Sequence, residues 1–216
     1  MARAAALCVL LLIAAQPAAA QTAWTAAPTA FDMMAAYPAK ATAAHIGGGV
    51  ELSCTANRKG AMTDCDVLGE SPRGYGFGSA ARDLAKKLTA QGVVNGQEVR
   101  VPITFAPDLA AGATVKTPKW TALPSVADMQ AAVPKTEGGP NDIRVTLVCA
   151  VQDGGGLSGC AVDREEPAGQ GFGQAILTLA PKFRVDLMSG EGTPTVGAKV
   201  RVPVRFDLTP APQPAK

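Results

Sequence analysis

The sequence has little charge and few rings: of 216 residues, 18% are charged and 5% aromatic, and there is one histidine. With a formal net charge of +2 it has no basic stripe of the kind that phosphates demand, which excludes nucleic acid as a partner. A mean hydropathy of +0.13, contributed mostly by alanine, is far from that of a polytopic membrane protein. Equally, 47% hydrophobic residues are too many for a largely disordered chain. Catalytic signatures are missing as well. There is no nucleophile–base pair, phosphate loop or Cys-x-x-Cys, and Gly48-Gly49 and Gly154-Gly155-Gly156 read as turn glycines. The single His45 falls in a loop ahead of a strand and reads as a surface residue. No enzyme activity, metal or cofactor is therefore expected. Length alone allows one ordinary domain or two small ones.

What is present begins with residues 1–20, MARAAALCVLLLIAAQPAAA. Arg3 precedes an apolar run from Ala4 to Ala15, and Ala18-Ala19-Ala20 follows Pro17. A charged start, a short apolar core and an A-x-A ending describe a secretory signal peptide cut after Ala20. The run is shorter than the ~20 residues that span a bilayer. Cys8 lies within the run, so a lipid-modified cysteine is not expected. Cleavage would take Cys8 from the odd total of five cysteines, and Arg3 from the charge, lowering it from +2 to +1. The remainder would be an exported chain with four cysteines in a compartment where disulfides persist.

That remainder repeats itself. Trp24-Thr25-Ala26-Ala27-Pro28 recurs as Trp120-Thr121-Ala122-Leu123-Pro124, and Asp32-Met33 as Asp128-Met129. Cys54 and Cys65 have the same spacing as Cys149 and Cys160; Pro72 and Pro167 follow in register, then Gly76-Phe77-Gly78 and Gly171-Phe172-Gly173. The segments VRVPITF (99–105) and VRVPVRF (200–206) close the two copies. So many ordered matches mark a tandem duplication. The expected organisation is a signal peptide (1–20), a first domain (24–106), a linker (107–119), a second domain (120–208) and a disordered Pro-rich tail (209–216).

Within a copy, alternation over Gly49–Ala56 and Met62–Leu68 about the Arg58-Lys59-Gly60 turn predicts a hairpin. Its counterpart is Arg144–Val151, turn Asp153-Gly154-Gly155, and Leu157–Val162. The cysteines of each pair are equidistant from the turn and so face one another across the strands. Disulfides Cys54–Cys65 and Cys149–Cys160 are expected, the alternatives being buried thiols or half of a metal site. Closing such a loop stabilises a small domain by about 3 kcal/mol. Apolar spacing at Ala81, Leu84, Ala85 and Leu88, and at Ile176, Leu179, Ala180 and Phe183, predicts a helix in each copy. The second helix should end or kink near Ala180, because Pro181 follows. Arg82, Lys86 and Lys87 read as a solvated face, and Glu70 and Glu165 as solvent-facing or capping residues. Pro102 and Pro203 place the last strand of each copy at a sheet edge. A right-handed crossover sets it parallel to the second strand and beside the first. The fold class is α+β: two three-stranded antiparallel or mixed sheets, order 2-1-3, each with helices packed on one face.

Each copy resembles the C-terminal domain of TonB, in its cysteine-bearing branch. The resemblance lies in Tyr37-Pro38, the Val50-Glu51-Leu52 strand, the Gly60 turn, Gly74–Gly78 with Phe77 ahead of an alanine-rich helix, and the closing VxVPIxF strand. Copy two departs with Val133 for Tyr37, Gln170 for Tyr75 and about six extra residues before its last strand. The usual aromatic end of the helix is missing from copy one at Leu88-Thr89-Ala90. What the resemblance implies is binding of an extended peptide beside the last strand, by β-augmentation. The residues that would carry it are Val99, Arg100, Val101, Ile103 and Phe105, and Val200, Arg201, Val202, Val204 and Phe206. The expected protein is periplasmic and non-enzymatic, its partners periplasmic or outer-membrane protein segments, with no membrane insertion after cleavage and no oligomeric state set by the sequence. Two alternatives stand beside it: an anchored energy transducer if the N-terminal segment is retained, and a structural envelope protein whose edge strands are merely protected by proline and arginine.

Overall fold

The computed structural model describes residues 22–134 and 141–208. The expected signal peptide and Pro-rich tail lie outside these residues. The first repeat runs β1 (Trp24–Ala26), α1 (Ala30–Ala35), α2 (Ala39–Ala43), β2 (Gly48–Ala56), β3 (Met62–Ser71), α3 (Phe77–Ala85), β4 (Thr89–Ala90) and β5 (Glu98–Phe105). The second runs β6 (Trp120–Ala122), α4 (Val126–Ala132), β7 (Asp142–Val151), β8 (Leu157–Glu166), α5 (Phe172–Leu179), β9 (Arg184–Val185) and β10 (Lys199–Asp207).

Local chemistry starts the helices alike. Thr29 opens α1 and Ser125 opens α4, each hydroxyl accepting the N–H of an aspartate three residues on, whose carboxylate reaches back to the cap N–H. The aspartates also receive a lysine from the other end of the repeat: Lys87 Nζ lies 2.6 Å from Asp32, and Lys182 Nζ 2.6 Å from Asp128. As expected from Pro181, α5 stops at Leu179 and a 3-10 turn, Ala180–Lys182, continues the path.

The main sheets have the orders β3-β2-β5 and β10-β7-β8. Every neighbouring pair is antiparallel, so in each the last strand lies beside the first and runs parallel to the second. This is the expected α+β arrangement. Alternate side chains along β5 and β10 are buried, among them Val99, Val101, Ile103, Phe105, Val200 and Val202. Helix α3 closes the first sheet with Ala81, Leu84 and Ala85, and Leu88 beyond its end is also buried. The cysteines meet across the hairpins, Sγ to Sγ, at 2.02 Å for Cys54–Cys65 and 1.99 Å for Cys149–Cys160. Two-residue ribbons, β1 with β4 and β6 with β9, were not expected; they tie the start of each repeat to the segment after its long helix.

The repeats share one continuous core cluster. Their joint is the extra stretch of the second repeat, between β9 and β10. Among the described residues, the buried polar side chains are Asp186, Ser189, Thr193 and Thr195, all within that stretch. Thr195 Oγ1 donates to the Asp186 carbonyl at 2.7 Å, and Asp186 Oδ1 accepts the Met188 N–H at 3.0 Å. Ser189 Oγ accepts the Thr193 N–H at 2.9 Å, so the burial is compensated by hydrogen bonds. The stretch also grips the connecting segment, with Asp186 N–H donating to Lys119 O (2.7 Å) and Gly190 N–H to Thr117 O (3.0 Å). It reaches the first repeat through Ala30 N–H to Val196 O at 2.8 Å.

Candidate functional site

Strands β5 and β10 are edges of their sheets. In an antiparallel ladder, alternate residues turn their N–H and C=O outward. Prolines 102 and 203 have no N–H to give and stand opposite Glu51 and Thr146. They therefore fall on the outward set, with Glu98, Arg100 and Thr104 in β5 and with Lys199, Arg201 and Arg205 in β10. The buried residues named from the sequence, with the partly buried Val204, do the inward pairing. Val101 faces Leu52 and Ile103 faces Val50, while Val202 faces Leu147 and Val204 faces Val145.

Both strands keep register with their partners from end to end. The opposite edges do not. Strand β3 has two breaks in register against β2, and β8 has two against β7. Such bulges twist an edge and spoil it as a template. The regular edges are thus those that carry the Val-Arg-Val-Pro sequence.

Each regular edge borders a groove in which an equivalent tryptophan, arginine and proline recur. Beside β5 the groove is lined by Trp24, Arg100, Pro102, Lys119 and Met188, and has a volume of about 90 Å³. Beside β10 it is lined by Val115, Pro118, Trp120, Arg201 and Pro203, and has about 380 Å³. The tryptophans were evident in the sequence only as markers of the duplication. Nothing local signalled that they stand next to the last strand; the unexpected ribbons put them there.

Chain already lies along parts of both edges. The Thr104 N–H donates to Gly192 O at 3.0 Å, and Thr104 Oγ1 to Glu191 O at 2.5 Å. Gly192, at φ 82°, sits so close that an added Cβ would lie 2.1 Å from the Pro102 carbonyl oxygen. On β10, the Val115 N–H donates to Lys199 O at 2.8 Å. Among the described residues, no further backbone hydrogen bond reaches the outer edge of Arg201–Arg205.

Charge differs too. On β5, Glu98 pairs with Ser53, and Arg100 Nη1 stands 3.4 Å from Glu51. On β10, Arg205 Nε is 2.8 Å from Asp142, and Arg201 Nη2 is 3.9 Å from Asp163. The hydrogen bond from Arg205 holds the Asp142 carboxyl below the usual carboxylate range.

Other residues singled out from the sequence are structural in their geometry. His45 is exposed in the turn before β2. Glu165 Oε1 accepts the Phe172 N–H at 2.8 Å, capping α5, which matches one of the two roles expected for it. Glu70 lies at the equivalent place beside α3, its Oε2 2.9 Å from where a Gly78 Cβ would sit. Its Oε1 is buried without a hydrogen-bond partner among the described residues, so neither the solvent-facing nor the capping role expected for it is met. Among the described residues, no group of three or more His, Cys, Asp or Glu is placed to hold a metal ion, and no helix is long and apolar enough to cross a membrane.

Of the comparisons with known proteins, the family match falls on the first repeat. Residues 34–107 match the family of Gram-negative bacterial TonB protein C-terminal domains. An uncharacterised protein of Caulobacter vibrioides is 37% identical over 62 residues, which are 29% of this chain and 62% of that protein. The match thus spans under two thirds of the relative's length.

Proposed function

We propose, from the premise that residues 34–107 form a TonB C-terminal-type domain, that this is an exported envelope protein which captures extended segments of other envelope proteins by adding them as strands along β5 or β10. The observation that carries the reading is the unbroken register of these two edges beside the broken register of β3 and β8. An edge in register presents evenly spaced N–H and C=O groups, so an incoming strand gains main-chain hydrogen bonds along its length. Alternate side chains of that strand then meet the groove beside the tryptophan or the arginines of the exposed sheet face. No proton transfer, nucleophile or metal is needed for such a role.

Titration of the 15N-labelled protein with three synthetic peptides, alternating Glu-Val, Thr-Val and Lys-Val, tests it. Amide shifts in 99–105 or 200–206 are expected with at least one peptide. Saturating amounts of all three without a shift in either strand would sink the reading. Export is checked separately by mass spectrometry, which should find a mature start at Gln21.

A further inference from the structure

We infer that the two edges are not equivalent: the turn Ser189–Thr193 is a built-in occupant of β5, and the open edge is β10, which is fitted to an extended segment carrying carboxylates at alternate positions. This rests on the strand-capture reading and adds which edge receives the strand and what chemistry the strand bears.

The first half of the inference follows from the contacts at the joint. A strand added to β5 needs the Thr104 N–H and the Pro102 carbonyl. The first is bonded to Gly192 O, and against the second Gly192 is packed at a distance that admits no side chain. Thr193 Oγ1 adds a contact of 3.5 Å to the Thr104 carbonyl. The turn is held rigid by the Ser189 hydroxyl, which accepts from Thr193 and Glu191 N–H. What is left beside Arg100 is a groove of about 90 Å³, against about 380 Å³ beside β10. The extra residues of the second repeat, which have no counterpart in the first, thus complete the sheet edge of the first in cis.

The second half follows from β10. Its covered end is Lys199; Arg201 and Pro203 border a groove of about 380 Å³, walled on its other side by Val115, Pro118 and Trp120, and no backbone hydrogen bond among the described residues covers the outward groups on to Arg205. The exposed charged side chains of the strand are Lys199, Arg201, Arg205 and Asp207, three positive and one negative, and Lys116 lines the same groove. On β5 the corresponding set is Glu98, Arg100 and Thr104, which carries no net charge. The pairs Arg201–Asp163 and Arg205–Asp142 are exposed, with arginine side chains 61% and 60% accessible. Exposed pairs of this sort hold weakly and can exchange partners. A carboxylate directly across from Arg201 or Arg205 on an added strand makes a favourable cross-strand pair. Antiparallel pairing of two β10 strands about Pro203 sets Arg201 of one opposite Arg205 of the other, where like charges repel, and Lys199 opposite Asp207, where opposite charges attract. A carboxylate on an added strand meets either arginine without that repulsion.

The same three peptides decide the matter when shifts are resolved by strand. Expected is that the Glu-Val peptide moves the amides of Arg201, Val202, Val204 and Arg205, leaves Arg100–Thr104 in place, and binds about tenfold more tightly than the Lys-Val peptide. In the doubly substituted Arg201→Gln, Arg205→Gln protein, with an unfolding midpoint measured to establish that it is folded, this preference should vanish. Equal shifts on β5 and β10, or equal binding of the Glu-Val and Lys-Val peptides, would overturn the inference and leave strand capture standing. Concentration-dependent shifts on β10 without peptide would overturn it in favour of a second copy. Silence from all three peptides removes strand capture itself.

Discussion

In the first repeat, Phe77 touches Tyr37, Tyr75 and Phe105, with ring centroids 6.0, 6.5 and 5.1 Å away. The second repeat has Val133 and Gln170 where those tyrosines stand, and its Phe172 touches Phe206 at 4.9 Å. The strands compensate. An added Cβ at Gly48 would lie 2.4 Å from the Phe77 ring, whereas the equivalent Ile143 is fully buried and opposite Phe206. Volume supplied by rings around the helix start in one copy is supplied by the strand in the other. The backbone tolerates the exchange because cores accept redistributed volume when the total and the apolar pattern are kept. What must stay constant is therefore the frame: strand order, hairpin cross-link, cap and lysine pair. What is free to diverge is the filling and the edge.

Truncation of the central ring gives the largest test of that division. Phe77→Ala and Phe172→Ala should each cost about 3–5 kcal/mol, the usual range for a buried phenylalanine. Phe77→Ala belongs at the upper end because it strips three aromatic neighbours of their contact. Urea unfolding curves with unchanged slopes would give the two values. A larger loss at Phe172 would break the comparison, since it would place the greater packing density in the repeat with fewer rings.

The cross-links should behave oppositely, as equals. Both close loops with a sequence separation of 11, so chain entropy assigns each about 3 kcal/mol. Cys54→Ser with Cys65→Ser, and Cys149→Ser with Cys160→Ser, are expected to lower stability by matching amounts in the same urea experiment. A clear inequality would mean that the hairpins differ in strain or in residual unfolded-state structure, and that the frame is less constant than the matching register suggests.

Much of this frame was legible in the chain. Alternation about a turn locates the hairpins because every second side chain must enter the core, and one proline in each last strand locates the sheet edge because a ladder cannot use it. The helices declare themselves at Ala81, Leu84 and Ala85 by period, and α5 stops where Pro181 removes an N–H. The site was legible only as far as its strand. Ribbons of two or three residues have too little pattern to be read, so the tryptophans next to the edges could not be placed. The covering of β5 by Gly192 joins positions far apart in sequence, and only tertiary packing brings them together. Its one trace in the sequence is the length difference between the copies, which shows where an addition sits without showing what it touches.

The smallest expected effect concerns the lysine–aspartate pair that both repeats keep. Hydrogen bonds from Lys182 and then Ser125 pull the Asp128 carboxyl down to about 2; those from Lys87 and Thr29 lower Asp32 as well. A carboxyl whose pKa is lower folded than unfolded adds stability that is complete above the unfolded value, near 3.9, and lost as pH falls through the folded value. For Asp128 that window runs from about pH 4 down to about 2. The lysines are half-exposed, with side-chain accessibilities of 54% for Lys87 and 50% for Lys182, so salt screens both pairs. Thermal midpoints taken between pH 5 and pH 2 should fall less steeply in Asp128→Asn than in the parent, and likewise in Asp32→Asn. Half-molar salt should shrink both differences. If Asp128→Asn left the acid slope unchanged while Asp32→Asn reduced it, the pair would be a working part of the first repeat alone, and the cap with its lysine would move from the constant frame to the divergent filling.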